Sequence, residues 1–283
     1  GSVAGTSIRA VATVRVNHDD PLLSELVAWY TFTEMNGTTI PDASGNGRDA
    51  TAVGGPVIVE VDGKRGLDLD ASRQQHVVMP AGILSELNQD FSILMWVYVD
   101  VRTSEGLGNW RRLFDFGVGD NQGRVFMTYN LYFDMTGRIA DGTPMAPPVG
   151  RWTHVAVTKT GNLFTIYSNG VVAATGNSTK TPADYGVTTR NFIGRSNWPA
   201  DPYLDGKVKD FRIYRIGLTA EQVREVMNQS VTEQDFTDEE AVAITKANLT
   251  LGDTSRVVSE LTLPTGGLYG ATISWSSSHP EVV

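Results

Sequence analysis

The sequence predicts an all-β protein, a sandwich or barrel of short antiparallel strands, and three observations predict it. Apolar runs that alternate, or that are rich in β-branched and aromatic residues, recur along the chain, as half-buried strands require. The chain's 29 glycines punctuate those runs at the spacing of turns. Asn169-Gly170 stands between two apolar alternations in "FTIYSNGVVAAT". That pair favours a two-residue type I′ hairpin, because both central residues need positive φ.

In chain order, strands are expected at 10–16 ("AVATVRV"), 26–32 ("LVAWYTF"), 91–99 ("FSILMWVYV"), 112–118 ("RLFDFGV"), 124–133 ("RVFMTYNLYF") and 153–160 ("THVAVTKT"). The hairpin at 163–175 and a strand at 209–216 ("KDFRIYRI") follow. In "KDFRIY", Phe211 and Ile213 should face one way and Asp210, Arg212 and Tyr214 the other. Helices are expected at 219–229 and 237–249, each opened by a threonine N-cap with Gln222 or Glu240 at the capping-box position. The chain thus divides into an N-terminal strand or linker (1–20), a large β unit (21–231), and a linker helix with a strand-like tail (232–283). The tail is shorter than the ~100 residues of an immunoglobulin-like sandwich and reads as the first part of such a domain.

Composition excludes several functions. A formal net charge of -9 and the lack of a basic stripe interleaved with aromatics argue against a nucleic-acid partner. Membrane insertion is not expected, because no apolar run approaches the ~18 residues of a spanning helix. The absence of cysteine excludes disulfides, thiolate zinc sites and cysteine nucleophiles, and suits either the cytoplasm or a bacterial exterior. The opening Gly1-Ser2 has the look of a cloning scar, so a missing signal peptide proves nothing.

Catalytic motifs are equally scarce. Glycosidases use two carboxylates about 5 to 9 Å apart, and an E-x-D-x-E strand would supply them. "VIVEVDGK" offers Glu60 and Asp62 but no third acid, and reads as an edge strand or turn. The histidines His18, His76, His154 and His279 are scattered, and neither a G-x-S-x-G elbow nor a Walker loop is present. The chain is expected to be noncatalytic.

Two constellations suit binding. Sugar rings stack their C–H faces on aromatics while their hydroxyls seek Asp, Asn and Arg. "GRSNWPADPY" places Arg195, Asn197, Trp198, Asp201 and Tyr203 in a proline-rich loop, and "GNWRRLFDFG" adds Trp110 and Asp115. Trp29, Trp96 and Trp152 lie in apolar strand patterns and are expected in the core. In "PDASGNGRD" (41–49), oxygen donors spaced by glycines form the kind of tight turn that can surround a hard cation such as calcium. The same residues also suit plain Asx turns, with Asp210 paired to Arg212 or Lys209.

From about residue 26 to 229 the chain resembles the concanavalin A-like, laminin-G-type jelly roll of bacterial extracellular glycoside hydrolases. The ordered segments that carry the resemblance are "LVAWYTFTEMNGTTIPDASGNGRDATAVGG", "LDLDASRQQHVVMP", "DFSILMWVYVD", "RRLFDFGVG", "RWTHVAVTKTGNLFTIYSNGVVAAT" and "NFIGRSNWPADPYLDGKVKDFRIYRIGLTAEQV". The resemblance implies an antiparallel β-sandwich. It also implies a structural calcium that ties an early loop to the last strand, which carries over to Asp42, Asn46 and Asp210. Lys209-Asp210 departs from the pair of acids that members often have there. The tail "AITKANLTLGDTSRVVSELTLPTGGLYGATISWSSSHPEVV" resembles the opening of an atypical bacterial immunoglobulin-like module. Such module pairs accompany catalytic domains that attack arabinose-containing plant polysaccharides. The resemblance therefore implies a secreted or cell-surface bacterial carbohydrate-binding module, with plant polysaccharide or oligosaccharide and a catalytic domain of the same full-length chain as partners. The alternative is a structural or adhesive spacer that packs on its catalytic neighbour without binding sugar.

Overall fold

A computed structural model describes residues 10–16, 22–100, 109–119, 124–232, 246 and 271–277. One unit comprises Pro21–Ser230; the other joins Gly1–Asp20 to Val231–Val283. The strands are β1 (Ala10–Val16), β2 (Leu26–Tyr30), β3 (Thr39–Ile40), β4 (Ala50–Val53), β5 (Val57–Val61), β6 (Lys64–Leu69), β7 (His76–Met79), β8 (Phe91–Val99), β9 (Arg112–Gly117), β10 (Val125–Thr128), β11 (Tyr132–Asp134), β12 (Arg138–Asp141), β13 (Trp152–Thr160), β14 (Leu163–Ser168), β15 (Val171–Asn177), β16 (Arg190–Ile193) and β17 (Gly206–Tyr214). Helix α1 (Ala220–Thr232) and strand β18 (Ala271–Ser277) follow.

The larger unit is an antiparallel sandwich. Its first sheet runs β15-β14-β13-β8-β17-β6-β5, with β2 paired to the second half of β17. Its second sheet runs β12-β11-β10-β9-β16-β7-β4-β3. Period-2 alternation turns Ile93, Met95 and Val97 of β8 inward, as it does Phe114 and Phe116 of β9 and Val208 of β17, and these side chains meet in one core between the sheets. Phe211 and Ile213 enter that core as their alternation predicts, while Tyr214 lies on the opposite side with Leu218, Val223 and Val226. Helix α1 thereby covers part of the first sheet's outward face through a second apolar cluster that includes Leu94, Ala156 and Tyr167. The helix starts as its capping box predicts, with Gln222 N donating to Thr219 Oγ1 (3.2 Å) and Thr219 N to Gln222 Oε1 (2.9 Å).

The Asn169-Gly170 hairpin joins β14 to β15 with φ of 48° and 72°. The run 124–133 is not one strand. It breaks into β10 and β11 around Leu131, which has φ of 63°, with Leu131 N donating to Thr128 O (2.9 Å) and Tyr132 N to Thr128 Oγ1 (3.1 Å). A threonine hydroxyl holds this turn, so no glycine or proline advertises it. Short strands at 39–40, 50–53, 64–69, 76–79, 138–141 and 190–193 were not expected, while 57–61 is an edge strand. Trp96 is buried, but Trp29 and Trp152 are only half-buried, on the first sheet's outward face rather than in the core.

In the smaller unit, β1 pairs antiparallel with β18, from Ala10 opposite Ser277 to Val16 opposite Ala271. The N-terminal strand therefore joins the tail in one sheet. The helix expected at 237–249 lies outside the described residues apart from Lys246, which is helical.

Candidate functional site

The outward face of the second sheet carries the polar residues that the sequence singled out. In register across it stand Phe126 of β10, Asp115 of β9 and Phe192 of β16. On a regular strand Arg112 and Asp115 would face opposite sides. A bulge in β9 changes this: Phe114 pairs with Met127 and Arg112 with Thr128, which leaves Leu113 as the extra residue. Leu113 enters the core, and Arg112 emerges beside Asp115, its Nε donating to Asp115 Oδ2 at 3.1 Å.

Above this face folds the loop from Gly194 to Asp205. Gly194 has φ of 79°, and a Cβ there would meet Leu69 Cδ1 at 2.6 Å, so glycine is required on two counts. Leu204 N donates to Gly194 O (2.9 Å), which brings the loop ends together. Asn197 clamps Asp115: its backbone N reaches Oδ2 (3.0 Å) and its Nδ2 reaches Oδ1 (2.8 Å), with a further bond from Nδ2 to Arg190 O (2.9 Å). Arg112 continues the network, donating Nη2 to Asp201 Oδ2 (3.0 Å) and Nη1 to Trp110 O (2.5 Å). Ser196 Oγ donates to Asp201 Oδ2 (2.7 Å) and accepts from Trp198 N (3.0 Å). Asp115 is 2% exposed, and burial pushes its carboxyl above the usual carboxylate range against the opposing pull of Arg112 and Asn197.

This buried framework presents two tryptophans. Trp110, in a short turn before β9, is 39% exposed, and Trp198 is 40% exposed; among the described residues of the larger unit no other aromatic side chain is as open. The neighbouring rings are already covered. The Arg112 guanidinium lies 3.9 Å over Phe126, that of Arg138 5.6 Å over Tyr132, and that of Arg195 4.4 Å over Phe192. Tyr132 packs edge-on against Trp110. A sugar ring seeking an aromatic platform here would therefore find it on Trp110 and Trp198.

The structure thus brings Trp110, Asp115, Asn197, Trp198 and Asp201 into one network. Arg195 and Tyr203 stand in an adjoining group with His76 and Phe192. Sequence reasoning missed Arg112, Ser196 and His76. The bulge that turns Arg112 towards Asp115 leaves no glycine signature, and His76 reaches the site only because β7 pairs with β16.

The three residues expected to hold calcium serve other partners. Asp42 Oδ1 accepts from Trp29 N and Ser44 N (both 3.0 Å), and its Oδ2 accepts from Arg48 N (3.0 Å). Asn46 Nδ2 donates to Leu26 O (2.8 Å). Asp210 Oδ1 accepts from Trp29 Nε1 (2.6 Å) and Arg212 Nε (2.8 Å). No group of three or more His, Asp or Glu side chains suited to a metal gathers among the described residues. Together these bonds tie the turn at 42–48 to β2 through Trp29 and Leu26.

Fold and candidate site together describe an antiparallel β-sandwich whose second sheet carries two exposed tryptophans. Residues 70–224, more than half of the chain, match the family model of the concanavalin A-like lectin/glucanases superfamily, and the chain belongs to that superfamily. Residues 242–283 match the atrophied bacterial Ig domain. No curated protein matches the chain. Among solved structures it is similar to domain 4 of AbnA, an extracellular arabinanase from Geobacillus stearothermophilus solved with arabinotriose. The identity is 24%, the TM-score 0.56, and 71% of this chain and 98% of that one are covered. Trypanosoma rangeli sialidase, solved with 2,3-difluorosialic acid, is 16% identical (TM-score 0.50; 71% of this chain, 32% of that one). The binding domain of botulinum neurotoxin serotype D/C is 15% identical (TM-score 0.53; 74% and 53%). The chain spans about a third of that sialidase and about half of that toxin domain. At these identities the likeness is one of fold.

Proposed function

We propose that the larger unit is a noncatalytic carbohydrate-binding module of a secreted, multidomain bacterial glycoside hydrolase that acts on arabinose-containing plant polysaccharide. One observation carries the reading: residues far apart in sequence, chosen for sugar chemistry, converge into a buried polar network beneath two exposed tryptophans. Trp110 and Trp198 stack on sugar rings. Asp201 and the edges of the Arg112 network offer hydrogen bonds to hydroxyls, with Asp115 and Asn197 holding the loop in shape. Membership of the lectin/glucanase superfamily and the likeness to an arabinanase domain solved with arabinotriose support the reading. So does the absence, among the described residues, of a helix able to cross a membrane, which is compatible with secretion. The module would raise the local concentration of a tethered catalytic domain on polymeric substrate, for which modest affinity suffices.

Calorimetric titration against arabinan, arabinogalactan and arabinoxylan fragments tests this reading. Saturable binding to one of them is expected, and Trp198→Ala is expected to weaken it by about tenfold or more while leaving the melting temperature nearly unchanged. Binding that is indifferent to both Trp198→Ala and Trp110→Ala, or no heat with any fragment, would favour the spacer. The calcium expectation is tested by melting with and without EDTA. A fall in melting temperature would show that an ion joins Asp42 and the carbonyls of its loop; no change would leave the loop explained by its hydrogen bonds.

A further inference from the structure

Among the described residues, Arg195 brings to this face a charge that the framework does not use. Its half-buried guanidinium is fixed from three sides: 4.4 Å over Phe192, 6.0 Å from the Tyr203 ring, and with Nη1 3.3 Å from His76 Nε2. The histidine contact has a determined sense. His76 Nδ1 lies 2.8 Å from the Gln74 carbonyl, which can only accept, so Nδ1 carries the hydrogen and Nε2 is left to accept from Arg195. Burial, which disfavours the charged ring and lowers its pKa, agrees with a neutral His76. The partners that position Arg195 are therefore two rings and a neutral imidazole; among the described residues no carboxylate pairs with it. The acids nearby are already engaged, Asp115 and Asp201 both by Arg112, with Asn197 and Ser196 completing their shells. The location is equally specific. Phe192, under the guanidinium, is in register with Asp115, and Arg195 belongs to the loop that presents Trp198.

An arginine held without a counter-charge in a protein of net charge -9 keeps a fork of donors for an anion from outside. We propose that Arg195 recognises a carboxylate on the saccharide, so that the site takes an acidic glycan, one carrying a uronate next to the ring that stacks on Trp198. This rests on the carbohydrate-binding reading and deepens it. The fork offers two parallel N–H donors to a planar carboxylate, and stacking on Phe192 sets its plane before the ligand arrives.

The test is calorimetric titration of the full chain with glucuronate-bearing arabinogalactan and arabinoxylan fragments, the same fragments after carboxyl reduction, and neutral arabinan fragments. The wild type is expected to bind an acidic fragment about tenfold more tightly than its reduced twin, a preference that narrows in about 0.5 M salt. Arg195→Gln should abolish the preference, read as the ratio of acidic to reduced affinity, whatever it does to the affinity for neutral fragments. Arg195→Lys, which keeps the charge but loses the fork, should retain only part of it. Equal affinity of the wild type for acidic and reduced fragments overturns the inference while leaving the carbohydrate reading intact, as does a preference that survives Arg195→Gln. If no fragment binds, acidic or neutral, both fall. Should Arg195→Gln melt below the assay temperature, the wild-type pair and Arg195→Lys decide.

Discussion

The two outward faces of the sandwich carry the same three residue types in the same association, and only one of them is a candidate site. On the first sheet, the Arg212 guanidinium lies 4.3 Å over Trp29 and its Nε bonds Asp210, which also receives the Trp29 indole N–H. On the second, the Arg112 guanidinium lies 5.6 Å from the Trp110 ring and its Nε bonds Asp115. The charged side chains are buried in both trios, 1% exposed in Arg212 and Asp210 and 4% and 3% in Arg112 and Asp115, so the faces differ at the tryptophan. Trp29 is half-buried, which makes the first trio the more sealed, whereas Trp110 opens to solvent. Trp-Arg-Asp is therefore not itself a recognition signature. What covers the trio decides its role: a strand and its buried neighbours seal one, and a folded loop edges the other.

The sharpest way to break this comparison is to remove one charge from the sealed trio. Arg212→Leu leaves Asp210 buried without its main counter-charge and is expected to cost about 3–5 kcal/mol in urea unfolding. The affinity of whatever protein remains folded should not change. A loss under about 1 kcal/mol would mean that water reaches Asp210, and the distinction between sealed and open faces would fail.

A smaller effect separates the faces by pH. His154 on β13 is fully buried against Trp96, and neither ring nitrogen has a hydrogen-bond partner among the described residues. Burial pulls its pKa down to about 4; Asp210 opposes this and Arg212 adds to it. Because the folded pKa lies below the unfolded one, the unfolded chain binds the extra proton. Stability is thus full above about pH 6.5 and declines as pH falls towards about 4, by roughly 3 kcal/mol across that window. His154→Leu should flatten this part of the pH–stability curve. Asp115 on the open face acts in the opposite sense. Its raised pKa means that stability is lost as pH rises from the usual carboxylate range through the folded value, so Asp115→Asn should remove a decline on the alkaline side of that range.

Much of the sandwich was legible because alternation and turn chemistry are local. Strand β8 occupies the run "FSILMWVYV" that announced it, and Asn169-Gly170 turns as its φ preference requires. What was not legible depends on side chains that stand in for punctuation, such as the Thr128 hydroxyl that splits 124–133, or on strands too short to show a period, such as Thr39–Ile40 and Arg190–Ile193. The site shows the same division. Loop composition pointed to Trp198 and Asn197, but Arg112, which joins the network together, reads in sequence as the wrong face of a strand. Only the bulge at Leu113, a matter of pairing with β10, reverses it. On the other face, the pairing of Asp210 with Arg212 was one of the partners the sequence offered, whereas the positive φ of 52° at Asp210 and the register shift in β17 that bring it also to the Trp29 indole leave no local signature.

The smallest expected effect fixes where the open face ends. Arg138 pairs with Asp141 (Nη2 to Oδ2, 2.5 Å) and lies over Tyr132, the ring that packs edge-on against Trp110. The Arg138 side chain is 59% exposed, so the ion pair is screened, and Arg138→Ala should change stability by less than about 1 kcal/mol. If Trp110 is held by Arg112 and Tyr132 alone, glycan affinity should stay within about twofold, since a trimmed rim contact leaves the stacking platform in place. A larger loss of affinity at unchanged stability would mean that ligand reaches across Tyr132 to β12. The open face would then be a groove running along the sheet edge rather than a pocket bounded by Trp110 and Trp198.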